Sequence, residues 1–197
     1  MSSGRTALVT TALIPAAGRS ARLGQPKQLV RLRGETLIAR AVRVAREAGC
    51  ARIIVVEGAV PLAEAVASLH VELVPCADWE RGPGASLRAG AKAAGDDAVL
   101  VLLADQWRVT GAHLRALLDA PGSVAAAFYA GALGVPARFD PASAQVLRAL
   151  ADGQGAKAWL RHEAFRVTPV PMPEAEVDLD TAAQLADLQC SSEEPQT

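Results

Sequence analysis

Short apolar runs alternate with amphipathic patterns along most of the chain. The apolar runs predict strands at residues 7–15, 52–57, 71–75, 98–103, 123–129, 135–139 and 165–170. Apolar spacing and capping signals predict helices at residues 36–48, 61–69, 85–94, 109–119, 140–151, 154–162 and 181–188. Strands that are apolar on both faces and alternate with helices are typical of a parallel sheet covered on both sides. We therefore predict an α/β fold with a mostly parallel, Rossmann-like sheet and helices on both faces.

Glycines and capping residues mark the ends of the later elements. Gly131 and Gly134 separate the strand at 123–129 from the strand that follows. Thr181, with Gln184 three residues on, makes a capping box that predicts the start of the last helix. A chain of 197 residues fits a single hydrophobic core. We predict one domain over residues 1–189 and a disordered polar tail over residues 190–197.

Composition and charge narrow the classes of partner. The formal net charge of −1 gives no general attraction to polyanions, so neither nucleic acid nor a membrane surface is expected as a partner. No apolar stretch reaches the roughly 18–20 residues of a membrane span, and no run of signal-peptide type follows Arg5. The cysteines Cys50, Cys76 and Cys190 are odd in number and widely spaced, which favours a reducing cytoplasm. The scattered histidines make no metal-ligand spacing, so no transition-metal site is predicted.

The segment from Leu13 to Lys27 carries the strongest chemical signal. A predicted strand leads into a loop of small residues, and the loop carries three cations, Arg19, Arg22 and Lys27. Small residues let backbone N–H groups approach phosphate oxygens, and the cations can neutralise a triphosphate. The alternative is a surface turn whose cations are merely solvated.

Two other phosphate-binding loops do not fit this chain. A P-loop has four residues between its first Gly and the Gly-Lys pair, whereas five residues separate Gly18 from Gly24, and Gln25 follows. The run at 82–87 begins like a dinucleotide-binding motif but ends in Leu87. The sequence therefore does not favour a P-loop enzyme or a Rossmann dehydrogenase.

Several motifs together resemble the molybdenum cofactor nucleotidyltransferases. Residues 16–24 read Ala-Ala-Gly-Arg-Ser-Ala-Arg-Leu-Gly and residues 26–29 read Pro-Lys-Gln-Leu, which is similar to the N-terminal signature of that family. Further matching segments follow in the family's order: Trp-Glu-Arg-Gly at 79–82, Ser-Leu-Arg-Ala-Gly at 86–90, Leu-Ala-Asp-Gln at 103–106, Gly-Val-Pro at 134–136 and Asp-Leu-Asp-Thr at 178–181. The guanylyltransferase branch usually has Gly at the position of Ala17, so the resemblance is closest to the cytidylyltransferase branch.

The resemblance implies a fold of the nucleotide-diphospho-sugar transferase type and a set of site residues. Three residues would hold the triphosphate: Gly18, Arg22 and Lys27. Four would lie around the base and ribose: Ala16, Ala17, Gly82 and Ser86. The catalytic residues would be Lys27, Arg22 and Asp105. It further implies a nucleoside triphosphate, with CTP favoured, a molybdopterin-type acceptor, and a client molybdoenzyme or its chaperone as a partner. For Gly82 and Ser86 a simple helix-capping role is the alternative.

Carboxylates at the ends of predicted strands indicate a magnesium site. Asp105 follows the most apolar strand, and ligands of open α/β sheets bind beyond the carboxyl ends of the strands. Asp178 and Asp180 would point to opposite faces of an extended segment, and Asp180 directly precedes the capping box, so we favour Asp178. Mg²⁺ prefers oxygen ligands, so Asp105 and Asp178 are the predicted metal ligands. The alternative for Asp105 is a buried cap of the next helix.

The chain departs from the family's pattern on the acceptor side. Trp107 stands where the family commonly has Pro, and Val135 stands where it commonly has His. The run at 152–157, Asp-Gly-Gln-Gly-Ala-Lys, differs from the usual Gly-Asp before Gly-Ala-Arg. Trp107 fits either the core or the acceptor site. Two alternatives therefore stay open: a transferase of the same fold that uses GTP or a sugar or polyol phosphate, and a non-catalytic accessory protein that binds the cofactor.

Overall fold

The computed structural model describes residues 9–20, 23–179 and 184 of the chain. Its strands are β1 (Thr10–Pro15), β2 (Arg31–Leu32), β3 (Glu35–Thr36), β4 (Arg52–Glu57), β5 (Glu72–Pro75), β6 (Ala98–Val101), β7 (Val124–Tyr129), β8 (Ala132–Phe139) and β9 (Thr168–Pro171). Its α-helices are α1 (Leu37–Glu47), α2 (Ala63–Val66), α3 (Pro83–Ala94), α4 (Gly111–Asp119), α5 (Pro141–Arg148) and α6 (Ala156–His162).

Seven of these strands form one sheet in the order β5-β4-β1-β6-β8-β7-β9. The strand β1 is parallel to β4 and β6, β4 is parallel to β5, and β7 is parallel to β9. Only β8, among the described strands of this sheet, runs antiparallel to its neighbours. It follows β7 through the two-residue turn Ala130-Gly131, where both residues have positive φ, as a tight hairpin requires. The prediction of a mostly parallel sheet is confirmed.

Helices cover both faces of the sheet, as predicted. On one face α1 and α4 pack against residues such as Ile14, Val55 and Leu100. On the other face α3, α5 and α6 pack against residues such as Leu13 and Val99. Neighbouring residues of one strand thus enter different cores, which explains why the strands read as continuous apolar runs.

Gly134 was wrongly predicted to separate two strands. It lies inside β8, which begins at Ala132 rather than at Val135. A Cβ at Gly134 would collide with the hydroxyl of Tyr129, so the glycine makes room for a ring that crosses the strand. Gly131, in contrast, lies in the turn, as the sequence predicted.

Two predicted elements are shorter in the structure. The helix predicted at 61–69 is only the single turn of α2, whose N-terminus has no side-chain capping hydrogen bond. The strand predicted at 165–170 begins at Thr168, because Ala164–Arg166 form a 3-10 turn. Phe165 is 78% exposed and never enters the sheet. The bounds of the other predicted elements that the structure describes shift by up to three residues.

The small hairpin of β2 and β3 was not predicted. Arg31 pairs with Thr36 and Leu32 with Glu35, and the turn residues Arg33 and Gly34 both have positive φ. Thr36 then caps α1 by accepting a hydrogen bond from the N–H of Ala39 at 3.2 Å. The hairpin connects the loop at residues 16–27, called the glycine loop below, to α1.

Some sequence predictions lie outside the described residues. These are the first residues of the strand at 7–15, Arg22, Asp180, all of the helix at 181–188 except Gln184, and the tail at 190–197. The single domain over residues 1–189 stays a prediction. No helix in the described part of the chain has the length and apolar character needed to cross a membrane.

Candidate active site

A cleft of about 380 Å³ opens at the carboxyl ends of β1 and β6. One wall is the glycine loop after β1, the opposite wall is the N-terminal end of α3, and Asp105 lies beyond the end of β6. Seven residues predicted from the sequence line this single cleft: Ala16, Ala17, Gly18, Lys27, Gly82, Ser86 and Asp105. The location is the one expected for ligands of open α/β sheets.

Hydrogen bonds fix the shape of the glycine loop. The N–H of Ala16 donates to the carbonyl of Val56 at 2.9 Å. Gln28, which is 2% exposed, donates from Nε2 to the carbonyls of Ala16 at 3.2 Å and of Gly18 at 3.4 Å. Sequence reasoning assigned no role to Gln28, although an amide between Lys27 and an apolar run was a usable signal. Residues 16–18 of the loop are therefore held in place by the protein itself.

Gly18 is open towards the cleft, which allows a prediction about binding. A Cβ at Gly18 would meet no heavy atom within 4 Å, so Gly18→Ala should keep the wild-type melting temperature. Because the methyl group would occupy space where phosphate approaches the loop, the affinity for nucleoside triphosphate should fall by about tenfold or more. Titration calorimetry and thermal melting measure the two effects. Unchanged affinity would show that Gly18 does not contact the ligand.

Gly84→Ala is the matched control for that variant. A Cβ at Gly84 would collide with the carbonyl oxygen of Ala151, so this variant should lose stability. The pair thus separates an effect on ligand binding at Gly18 from an effect on packing at Gly84.

The second wall is the N-terminal end of α3. Gly82 occupies the N-cap position with φ of 110°, and a Cβ there would lie 2.8 Å from the carbonyl oxygen of Asp152. Ser86 is 6% exposed in the second turn of the helix. Gly82 therefore is the cap position, as the alternative interpretation held, and it also lines the cleft. A helix N-terminus of this kind favours negatively charged ligands.

Asp152 joins this helix to the segment between α5 and α6. The N–H of Gly84 donates to the Asp152 carbonyl at 2.9 Å, and Arg81 Nε donates to its carboxylate at 2.8 Å. Arg88 also donates to that carboxylate, and this hydrogen bond lowers the pKa of Asp152 below its usual range. The cleft wall and the segment leading into α6 are thus linked.

Lys27 and Asp105 form an ion pair in the cleft. The Asp105 side chain is only 4% exposed, whereas the Lys27 side chain is 34% exposed. Asp105 does not cap the next helix, because Thr110 is the N-cap of α4 and forms a capping box with His113. The capping alternative for Asp105 is therefore wrong. Asp105 is thus a buried carboxylate with a cation beside it, and it lines the cleft.

The residues after Asp105 connect it to the far side of the sheet. Gln106 Nε2 donates to the carbonyls of Val135 and Ala175, both at 2.8 Å. Burial raises the pKa of the Tyr129 phenol, and the negative charges of Asp178 and Asp105 raise it further. Asp178 and Asp105 therefore both act on one phenol, although Asp178 is not among the residues that line the cleft.

The cleft offers one buried carboxylate, that of Asp105, as an oxygen ligand for a hard divalent cation. The Lys27 ammonium already forms an ion pair with the buried Asp105 carboxylate, so a positive charge is accommodated beside it. Among the described residues, no group of three or more His, Cys, Asp or Glu side chains is placed to share a metal ion. Mg²⁺ commonly takes one or two carboxylates and completes its shell with phosphate and water, so it does not need such a group.

Comparison with known proteins decides the family. Residues 12–167 match the MobA-like NTP transferase domain. The chain belongs to this family. Within the MobA-like fold, the glycine loop follows β1 and Asp105 follows β6, and these two strands are neighbours in the sheet.

Relatives in sequence carry several different names. The purine catabolism protein PucB of Bacillus subtilis is 32% identical over 74% of this chain and 78% of its own length. The nicotine blue oxidoreductase of Paenarthrobacter nicotinovorans is 31% identical over 89% of this chain and 94% of its own length. A probable molybdenum cofactor guanylyltransferase of Opitutus terrae (39%) and a 2-C-methyl-D-erythritol 4-phosphate cytidylyltransferase of Rhodococcus opacus (40%) match over 47% and 55% of this chain, each over 47% of its own length.

Solved structures share the fold over nearly the whole chain. A nucleotidyl transferase from Methanothermobacter, Mth528, superposes with a TM-score of 0.78 at 26% identity, covering 93% of this chain and 97% of that protein. Rv0371c of Mycobacterium tuberculosis in complex with manganese superposes with a TM-score of 0.71 at 26% identity, covering 92% of this chain and 98% of that protein. The MobA-like chain therefore has the α/β nucleotidyltransferase fold that its sequence predicted.

Trp107 packs away from the MobA-like cleft. Its side chain lies against the core on the α1 side and is not among the cleft-lining residues. Arg40 donates to the Trp107 carbonyl at 2.7 Å and to the Val109 carbonyl at 2.9 Å, which fixes the segment after Asp105. Of the two roles considered for Trp107, the structure supports the one in the core.

Proposed function

We propose that this chain transfers CMP from CTP to the phosphate of a molybdopterin-type acceptor and releases pyrophosphate. The observation that carries the proposal is the Lys27–Asp105 pair in a cleft whose walls are a glycine loop and a helix N-terminus. Both walls favour phosphate, since backbone N–H groups and a helix dipole attract anions. Membership of a nucleotidyltransferase family supports the same reaction class.

Lys27 has two charge partners during the proposed reaction. Its ammonium neutralises Asp105 in the free protein, and its side chain is 34% exposed, so the ammonium can turn to a triphosphate that enters the cleft. As the bond to the leaving group breaks, Lys27 stabilises the negative charge on pyrophosphate. Arg22 is proposed to assist from the same loop. The attacking phosphate is already ionised at neutral pH, so no general base is needed.

We propose Mg²⁺ as the cofactor, held by Asp105 and Asp178 together with phosphate oxygens and water. When bound, it would neutralise and polarise the α-phosphate. The buried carboxylate of Asp105 supports this role, and so does the manganese complex of Rv0371c. The remaining catalysis comes from positioning the two phosphates in the cleft.

The proposal includes a preference for CTP over GTP. Ala17 lines the cleft and is 2% exposed, and we propose that Ala at this position leaves less room for a purine than Gly would. An apolar size difference contributes only about 1–3 kcal/mol, so CTP should bind about 10- to 100-fold more tightly than GTP. Ala17→Gly should reduce this ratio without abolishing activity, as titration calorimetry with both nucleotides will measure.

Ala59→Gly provides the control for the base preference. Ala59 donates its N–H to the carbonyl of Ala17 at 2.9 Å but does not line the cleft, so the CTP-to-GTP ratio should not change. Equal binding of GTP and CTP by the wild-type protein would reject the cytidylyl assignment. It would leave nucleotidyl transfer itself intact, because the triphosphate contacts do not depend on the base.

A polyol or sugar phosphate is the second candidate for the acceptor. The relative from Rhodococcus opacus is named for such a substrate, and this chain departs from the molybdenum cofactor pattern at Trp107 and Val135. Pyrophosphate release should be measured with each of the four triphosphates in Mg²⁺, and with molybdopterin or erythritol 4-phosphate as the acceptor. Tight binding of molybdopterin without pyrophosphate from any triphosphate would indicate an accessory protein instead.

A further inference from the structure

Two exposed cations lie beyond Asp105, on the opposite side of β6 from the glycine loop. Lys157 and Arg161 are four residues apart on α6, so they share one face of that helix. Lys157 Nζ lies 5.4 Å from the centroid of the Tyr129 ring. Arg161, also exposed, lies one helical turn after Lys157. The two cations therefore form one positively charged face of α6, with Lys157 beside Tyr129.

A chain of contacts connects these cations to Asp105. The residue after Asp105, Gln106, donates to the carbonyl of Val135 in β8 at 2.8 Å. The neighbouring Gly134 packs directly against the Tyr129 hydroxyl. The Tyr129 ring in turn lies under the Lys157 ammonium. Asp105 is thus linked to α6 through side chains and backbone of β8 and β7.

The geometry of displacement at phosphorus sets the direction from which the acceptor must come. The attacking and leaving oxygens lie roughly in line across the reacting phosphorus. The glycine loop after β1 would hold the leaving pyrophosphate, and β1 borders β6 on one side only. On the other side of β6 lie β8 and then β7, which carries Tyr129. The nucleophile should therefore enter from the side of β8, β7 and α6.

An acceptor phosphate on that side needs positive charge close to it. It brings up to two negative charges towards the carboxylates of Asp105 and Asp178, and like charges at short range repel. Lys27 already pairs with Asp105 and is proposed to bind the triphosphate. Among the side chains around Tyr129 in the described part of the chain, Lys157 and Arg161 are the ones that can offset this repulsion.

We propose that Lys157 and Arg161 bind the phosphate group of the acceptor. The proposal rests on the nucleotidyl transfer proposed above, because that reaction defines the direction of attack. An oxygen of the bound phosphate forms the new bond to the α-phosphorus of the triphosphate. The bond from that phosphorus to the bridging oxygen breaks, and its electron pair leaves with pyrophosphate. Lys157 and Arg161 hold the nucleophile in line and do not exchange protons.

The test uses Lys157→Gln, Arg161→Gln and the double variant. The triphosphate site is filled with the α,β-methylene analogue of CTP, which cannot transfer CMP, and binding of inorganic phosphate is followed by ³¹P NMR. Each single variant should weaken phosphate binding by about tenfold, and the double variant by more. With molybdopterin as the acceptor, KM for the acceptor should rise by a similar factor, while the affinity for the CTP analogue stays unchanged.

Arg166→Gln is the matched control, because it removes the same charge from a nearby exposed position. Its guanidinium lies 5.0 Å from the Phe165 ring and pairs with Glu163 at 3.8 Å. The inference is overturned if the double variant binds phosphate as tightly as the wild-type protein does. It is also overturned if Arg166→Gln weakens phosphate binding as much as Lys157→Gln or Arg161→Gln does. A wild-type protein that releases no pyrophosphate and does not bind the CTP analogue contradicts the proposed function instead. Loss of phosphate binding in Lys157→Gln would then still support the phosphate site.

Discussion

Replacing Asp105 with Asn is expected to lower the rate of pyrophosphate release by about 100-fold or more. The substitution keeps the size and shape of a side chain that is only 4% exposed, so the fold should persist. It removes the negative charge that binds Lys27 in the free protein and that would hold Mg²⁺ in the reaction. Stopped-flow measurement of pyrophosphate, combined with calorimetric binding of CTP, separates the loss of turnover from the small change expected in binding.

Asp97→Asn provides a matched control at the other end of the same strand. Asp97 immediately precedes β6, accepts a hydrogen bond from Thr11 at 2.6 Å and lies far from the cleft. Thermal melting and the rate of pyrophosphate release should be measured for this variant, and only its stability should change. A rate for Asp105→Asn within a few-fold of wild type in Mg²⁺ would reject the catalytic assignment.

Lys27→Ala should weaken the binding of CTP by about 10- to 100-fold and leave the binding of cytidine nearly unchanged. The reason is that the lost ammonium would contact phosphate and not the base or ribose. The same variant leaves the buried Asp105 carboxylate without the Lys27 ammonium that pairs with it. The free energy of unfolding should therefore fall by about 1–3 kcal/mol, as urea denaturation will show.

A double variant and a distant lysine complete this experiment. Lys27→Ala with Asp105→Asn should recover much of the stability, because the second change removes the unpaired charge. The affinity of the double variant for CTP should remain as low as that of Lys27→Ala. Lys92→Ala, at the far end of α3 and exposed, should affect neither property. Equal losses of CTP and cytidine binding in Lys27→Ala would show that Lys27 has another role.

The sequence predicted the parts of the fold that depend on local pattern. Apolar runs in β1, β4 and β6 predicted these strands of a mostly parallel sheet, because buried parallel strands are apolar on both faces. The position of Asp105 beyond β6 then located the site, since ligands of such sheets bind at that edge. The glycine loop and the N-terminal end of α3 lie far apart in the chain. Their resemblance to a known family predicted that both belong to one site.

Features that depend on contacts between distant segments could not be predicted. Gly134 appeared to be a strand boundary, because only the fold shows the Tyr129 ring packed against it. Gln28 and Arg40 act through hydrogen bonds to backbone carbonyls, and such bonds leave no periodic pattern in the sequence. The role of Asp105 was likewise ambiguous until Thr110 proved to be the cap of α4.

The central claim is nucleotidyl transfer in the Lys27–Asp105 cleft, and the position of the transferred phosphorus tests it most directly. The protein should be incubated in Mg²⁺ with molybdopterin and with CTP that is labelled either at the α- or at the γ-phosphorus. The account predicts that the α-label moves to the acceptor and the γ-label appears in pyrophosphate, in equal amounts, with both lost in Asp105→Asn. Transfer of the γ-label to the acceptor, or release of the γ-label as inorganic phosphate by the purified protein, would contradict it.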